Sequence, residues 1–377
     1  MIPQEMMEEY NILPLVHNDM VAAEISKGMY CLPQAGRIAY DKLVKHLASG
    51  GYVPTGKPPG LFKHTSRPIY SCLVVDNFGV KYTSRDDTEH LITHLSKEYK
   101  CTTDWDDNLF LGIYLDWDYT KRTADLSMKN YITKGRLRFG HNAPSHPQHS
   151  PPPLTPLKYG AQVQMADNPT ITPLTPAEKL KIQQFVGVFR HYVSAIDTTM
   201  LAAISSIATN MSTTTAKDLH FRMKQFLDYA ATHPDAKIRY TASEMKLWVH
   251  SDASYLSEPK TRSRAGGFFF LSDMQKFPVD ATLPAPPLNG SVLVLCKIID
   301  AIISSAQEAE TGAAFINTRE EIPMKDTLEE LDHSQGPIPI QFDNKCAVDI
   351  INNTMTQRRS KPMDMRFYWM KDRETQK

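Results

Sequence analysis

The alternation of apolar and polar positions is sharpest over residues 246–271, KLWVHSDASYLSEPKTRSRAGGFFFL. An apolar run, Leu247, Trp248 and Val249, leads to one acid, Asp252. A polar loop with Lys260, Arg262 and Arg264 follows, and Gly266-Gly267 leads into a second apolar run, Phe268, Phe269, Phe270 and Leu271. This pattern predicts a β-hairpin with a carboxylate near the middle of a buried sheet. After a Pro-rich insertion over 272–289, residues 291–298 and 337–343 predict two further strands, with a helix around Glu310 between them. Residues 344–352 and 361–373 read as helices.

The first half is less regular, and residues 1–30 show no dominant period. From Leu32-Pro33-Gln34-Ala35-Gly36 a helix is predicted to about Leu47, on a stripe of Ile38, Leu43, Val44 and Leu47, with Gly50-Gly51 as its stop. Residues 57–67 read as a Pro/Gly loop. In 69–82, IYSCLVVDNFGVKY, two β-type runs flank Asp76-Asn77, the ordinary signal of a tight hairpin turn. Residues 86–99 predict a helix with Leu91, Ile92 and Leu95 inward. Paired strands are expected at 110–119 and 124–128, and a short helix at 130–139. From 175 to 240 the pattern reads as helical throughout. It opens on Thr175-Pro176-Ala177-Glu178, a cap followed by Pro at the first helical position and Glu three residues on.

Composition adds constraints. With 377 residues, two or three domains are expected. The 42 basic and 42 acidic side chains cancel, so any nucleic-acid binding must come from local basic patches. Many of the prolines cluster in 141–156, which reads as an extended linker or wrapping arm. Its His141, His146 and His149 lack the Cys or acid partners at ligand spacing that a metal site needs. Five scattered cysteines without a CxxC pair argue for a reducing compartment. No apolar run reaches the roughly 18–20 residues of a membrane span, and the acidic N-terminus is unlike a signal peptide.

Asp252, Glu310 and Asp343 each lie on or beside an apolar element. Carboxylates gathered at a sheet end repel one another unless a cation neutralises them. Mg2+ prefers oxygen ligands and keeps several waters. Two such ions about 4 Å apart can activate a water and stabilise the leaving oxygen in phosphodiester hydrolysis. Spacing alone leaves a second reading open, in which the three are ordinary surface acids at strand ends.

Several segments resemble a known family. HSDASYLSEPKTRSRAGGFFF (250–270), SSAQEAETGA (304–313) and QFDNKCAVDI (341–350) resemble the ribonuclease H domain of copia-type LTR retrotransposon Pol polyproteins. Upstream, KGMYCLPQAG (27–36) resembles the reverse-transcriptase helix motif near template and incoming nucleotide. LVVDNF (73–78) resembles the hairpin bearing the polymerase's Val-Asp-Asp, and FLGI (110–113) the following strand near the primer grip. Residues 175–240 are similar to the segment joining polymerase to ribonuclease H, and KPMDMRFYWMKDR (361–373) to the helix after the third carboxylate. The matches are collinear and cover nearly the whole chain.

The resemblance implies an α/β and α+β multidomain chain. Residues 1–140 would be a partial reverse-transcriptase palm with the start of the thumb, 141–174 a Pro/His-rich linker, and 175–240 a helical connector. Residues 241–377 would be a ribonuclease H-like mixed sheet with helices, lacking its last strand and helix. Asp252, Glu310 and Asp343 would be the catalytic ligands of a two-ion Mg2+ site. Glu310 is favoured over Glu308 because Ala313 follows it, which leaves Glu308 as an acid at the helix start; Asp364 would be structural. Gln34, Gly36, Lys260, Arg262 and Arg264 would contact nucleic acid, with solvated loop charge as the alternative for the three cations. The partner would be an RNA–DNA hybrid or a single strand, held by backbone contacts, with intact Pol copies as a further partner. No membrane and no small-molecule cofactor are expected. The location would be cytoplasmic, in a virus-like particle, with a nuclear stage.

The sequence also departs from the family pattern. It begins after the palm strand that carries an upstream aspartate, and Asn77 stands beside Asp76 where the family has a second acid. The polymerase is therefore expected to be inactive, with Asp76 as its remnant. Lys377 precedes the family's fourth carboxylate. Two readings follow: a nuclease attached to polymerase remnants, or a non-catalytic, decayed retroelement product that binds nucleic acid or protein.

Overall fold

The computed structural model describes residues 4–18, 20–21, 32–106, 108–153, 174–212, 214–258, 262–273, 286–352, 369–370 and 372–375. The chain is mixed α and β, with several separate sheets, and divides into two compact units. One comprises Met1–Thr55 and Pro59–Thr102, the other Gly56–Pro58 and Thr103–Lys377.

The first unit opens with α1 (Gln4–Glu9) and a two-residue ladder of β1 (Val16–His17) with β2 (Met20–Val21). Then α2 (Pro33–Ser49) begins with Pro at its first turn, where a missing N–H costs nothing. Its inward stripe is Tyr40, Leu43, Val44 and Leu47. Ile38, expected in that stripe, is 68% exposed; it sits roughly 200° around the helix from Tyr40. The antiparallel sheet that follows has the order β3 (Tyr52–Pro54), β4 (Leu61–His64), β5 (Ile69–Val74), β6 (Asn77–Tyr82). The expected loop over 57–67 thus contains a strand. LFKH is too short to carry a period, but it buries Leu61 and Phe62 between β3 and β5. α3 (Arg85–Leu95) buries Leu91 and Leu95 against Leu47, Tyr52, Phe62 and Ile69.

Among the described residues, the second unit holds two sheets. The first has the order β10 (Lys237–Thr241), β9 (Thr123–Ser127), β8 (Ile113–Asp118), β7 (Leu109–Phe110). Around it lie α4 (Tyr131–Arg138), α5 (Pro176–Ala195), α6 (Leu201–Thr209) and α7 (Ala216–Thr232). The expected cap of α5 forms: Thr175 and Glu178 make a reciprocal capping box. Phe185, Phe189 and Phe226 meet at centroid separations of 5.0–5.2 Å in one core shared with Met128 and Ile132.

Two expectations are corrected here, and the choice between linker and wrapping arm over 141–153 is decided. Residues 175–240 are not helical throughout, because after Pro234 the KIRYT run is β10, paired with β9 and clamped by Arg239 to Asp125 at 2.6 and 2.7 Å. Because β9 pairs with β10 and α4–α7 share one core, residues 103–140 belong with 174–241, and no boundary falls at 140. The Pro-rich segment over 141–153 is an arm laid on α7, not a free linker. His141 Nε2 meets Asp228 Oδ1 at 2.7 Å, the Gln148 amide donates to Thr232 Oγ1, and Gln225 donates to the Ser150 carbonyl. The remainder of the expected linker, 154–173, lies outside the described residues.

The second sheet has the order β13 (Ser291–Ile298), β12 (Arg262–Ser272), β11 (Lys246–Glu258), β14 (Ile340–Gln341). The long helix α8 (Ala306–Glu330) packs on β11 and β12, and α9 (Lys345–Ile351) follows β14. β11 runs six residues beyond Asp252, so Arg262, Arg264, Gly266 and Gly267 lie in the paired strand β12 and not in a loop. Only Ile340 and Gln341 of the expected 337–343 strand form a ladder, since Pro337 and Pro339 have no N–H to donate. Residues 274–285 and 361–368, Asp364 among them, lie outside the described residues. Among the described residues, no helix is long and apolar enough to cross a membrane.

Candidate metal centre

β11 and β14 run parallel, with Val249 opposite Ile340 and His250 opposite Gln341. Continuing that register by two residues sets Asp343 alongside Asp252. Glu310 comes from the second turn of α8, which packs over the same strand. One carboxylate oxygen from each of Asp252, Glu310 and Asp343 lies within 4.8 Å of the others. Asp252 and Asp343 are exposed, whereas Glu310 is buried. The Ala253 amide donates to Asp252 Oδ1 at 2.8 Å and so fixes that carboxylate.

Burial, and then the charges of Asp252 and Asp343, push the Glu310 carboxyl up to about 7, against a small opposing effect of the Ala253 amide. Glu310 Oε2 is buried and accepts no hydrogen bond. An unpaired buried carboxylate oxygen beside two further acids is an unfavourable arrangement for protein alone. A divalent cation would satisfy the oxygen and cancel the repulsion, and an all-oxygen donor set suits Mg2+. The residues present therefore fit such an ion.

Glu308 does different work. Ser305 caps α8 by accepting from the Glu308 amide, and the Glu308 carboxylate accepts from the Ser304 amide and hydroxyl, both at 2.8 Å. This is capping geometry, with its carboxylate tied to the helix start.

No family model matches the chain. The chain is 23% identical over 364 residues to the "Retrovirus-related Pol polyprotein from transposon TNT 1-94" of Nicotiana tabacum, an alignment that covers 93% of this chain and 25% of that protein. The likeness supports a retrotransposon Pol origin. The chain spans about a quarter of the length of the curated relative it matches.

The other residues expected at a site fall as follows. Gln34 and Gly36 are exposed on the first turn of α2. The hairpin turn consists of Val75 and Asp76, one residue earlier than expected, because Asn77 already pairs with Val74. Val75 takes the strain of that turn at φ +59°. Asn77 Nδ2 donates to Asp76 Oδ1 at 3.0 Å, so the amide binds the acid it adjoins. Lys260 lies outside the described residues. Arg262 is half-buried at the start of β12. Arg264 is corrected: it is buried, pairs with Glu258 at 2.6 Å and donates to Ser205 Oγ on α6, so it does not face a phosphate.

Sequence reading did not single out Ser251 or Asn317. Asn317 Nδ2 donates to Ser251 Oγ at 2.8 Å and to the Gly266 carbonyl at 2.9 Å. The available signal was an Asn seven residues after Glu310, two helical turns along the same face.

Proposed function

We propose that this chain is a reverse transcriptase/ribonuclease H-type part of a retrotransposon Pol polyprotein. In this reading Asp252, Glu310 and Asp343 form a ribonuclease H-like centre that cleaves the RNA strand of RNA–DNA hybrids. The observation that carries the reading is the convergence of the three carboxylates within 4.8 Å, with the central one buried and its Oε2 unpartnered. Bound Mg2+ would supply an activated water and charge stabilisation at the leaving oxygen. Asp252 and Asp343, both exposed, would face the phosphate from the open side, and Glu310 would hold the site from the protein side. The likeness to a Pol polyprotein over nearly the whole chain makes nucleic acid the natural substrate class.

The polymerase half reads differently. Asp76 stands in an exposed turn with its carboxylate bound by the Asn77 amide. Asn is neutral and a weaker ligand for a hard cation than a carboxylate. That pairing favours a non-catalytic role for the hairpin, as a remnant or a nucleic-acid contact.

The test is Mg2+-dependent cleavage of a labelled RNA–DNA hybrid by the full chain, with Asp252→Asn as control. Cleavage by the chain and loss in the variant are expected. Undiminished cleavage by Asp252→Asn would remove the site assignment, and primer extension by the chain would overturn the reading of the hairpin.

A further inference from the structure

We propose that Asn317 is a positioning residue that sets the spacing between Asp252 and Glu310, an inference that rests on the metal-centre reading above. Asn317 is fully buried on α8, two turns beyond Glu310 and on the same helix face. Its carboxamide nitrogen bridges both strands beside the centre. One hydrogen bond goes to Ser251 Oγ, on the residue preceding Asp252, and the other to the carbonyl of Gly266, the ladder partner of Asp252. One amide thus ties the helix that carries Glu310 to the two strands that hold Asp252.

The apolar contacts of α8 nearby act differently. They come from the fully buried Ala309, Ala313 and Ala314 and from the partly buried Phe315 and Ile316. Apolar burial is non-directional and sets no hydrogen-bonded register against sliding along a strand. The directional bonds of Asn317 resist it. Sliding by even part of the 1.5 Å rise per residue would disturb an ion that demands near-ideal octahedral geometry.

Two further observations support a fixed amide at this place. Gly267 lies opposite Ser251 across the ladder, and a Cβ there would collide with the Asn317 carboxamide. The strand therefore makes room for this side chain. In addition, Asn317 Oδ1 is buried without a partner. An unpaired buried acceptor opposes folding, so stability alone is a poor account of an Asn at this position.

The experiment measures Mn2+ affinity of the full chain, without substrate, by electron paramagnetic resonance. Asn317→Leu keeps the branched heavy-atom skeleton and removes both hydrogen bonds, and Ser251→Ala removes one of them. Leu328→Ala, a buried position further along α8, controls for general loss of stability, and Asp252→Asn controls for the site. The expected result is that Asp252→Asn abolishes binding, Asn317→Leu weakens it at least tenfold, Ser251→Ala weakens it several-fold, and Leu328→Ala leaves it unchanged. Wild-type affinity in folded Asn317→Leu, with binding lost in Asp252→Asn, would overturn the positioning role and leave the metal centre standing. If Asn317→Leu does not fold, wild-type affinity in Ser251→Ala overturns it instead. No Mn2+ binding by the wild-type chain, or binding indifferent to Asp252→Asn, would overturn the metal-centre reading and this inference with it.

Discussion

Arg264 Nε donates to Glu258 Oε1 at 2.6 Å, and the two side chains are only 9% and 12% exposed. The pair spans the β11–β12 hairpin, and Arg264 also donates from Nη1 to Ser205 Oγ on α6. A guanidinium held in this way joins sheet to helix. Removing one partner of a buried pair leaves the other charge uncompensated. Arg264→Ala is expected to cost about 3 kcal/mol in urea unfolding. Arg264→Lys should rescue it poorly, because a point ammonium cannot reproduce the fork. Affinity for an RNA–DNA hybrid, measured on the folded fraction, should not change.

Glu310 should make the proposed centre sensitive to pH. Its folded pKa is pushed up to about 7 from 4.5, by burial first and then by Asp252 and Asp343. A carboxyl with a raised folded pKa contributes stability that is present below its unfolded pKa and lost as pH rises through the folded one. Without divalent cation, the melting temperature should therefore fall between about pH 4.5 and pH 7 and stay low above it. Millimolar Mg2+ at pH 8 should restore it. Asp252→Asn removes one cause of the shift and should move Glu310 back toward the ordinary carboxylate range, as read by carbon-detected NMR titration.

Glu321 offers a case with no metal involved. It is buried on α8, and burial pushes its carboxyl up to about 7 against a weaker opposing effect of Lys325. Its ionisation above pH 7 works against the fold by the same sign argument. Glu321→Gln is expected to stabilise the chain at pH 8 by up to about 3 kcal/mol and to have little effect at pH 4.5. Urea midpoints at the two pH values check this.

The first unit should be acid-labile through His90. Burial lowers its pKa below 6.5, and Arg67, His64, His94 and Lys97 add to the effect. Its Nδ1 meets the Tyr52 hydroxyl at 2.8 Å. Asp87, which pairs with Arg67 at 2.9 Å, offsets part of that cation's field. A histidine with a depressed folded pKa favours the fold above its unfolded pKa and loses that contribution as pH falls through the folded one. Unfolding midpoints should drop from pH 7.5 to pH 5, and His90→Gln should make the drop shallower.

Local chemistry explains what could be read from the sequence alone. The capping box at Thr175 and Glu178, the start of α2 at Pro33, the extent of α7 and the strand at 291–298 rest on signals within a few residues. The same holds for the choice of Asp252, Glu310 and Asp343 as candidates, since each sits beside an apolar run. Other features were not legible because partners distant in sequence decide them. KIRYT is a strand because β9 supplies its hydrogen bonds. LFKH is a strand because it lies between β3 and β5. Arg264 is buried because Glu258 compensates its charge and Ser205 accepts one of its hydrogen bonds. By itself the sequence determined which acids could form a centre. Only the tertiary structure brought them together, through the parallel register of β11 with β14 and the docking of α8, because both depend on bonds between residues up to 91 positions apart.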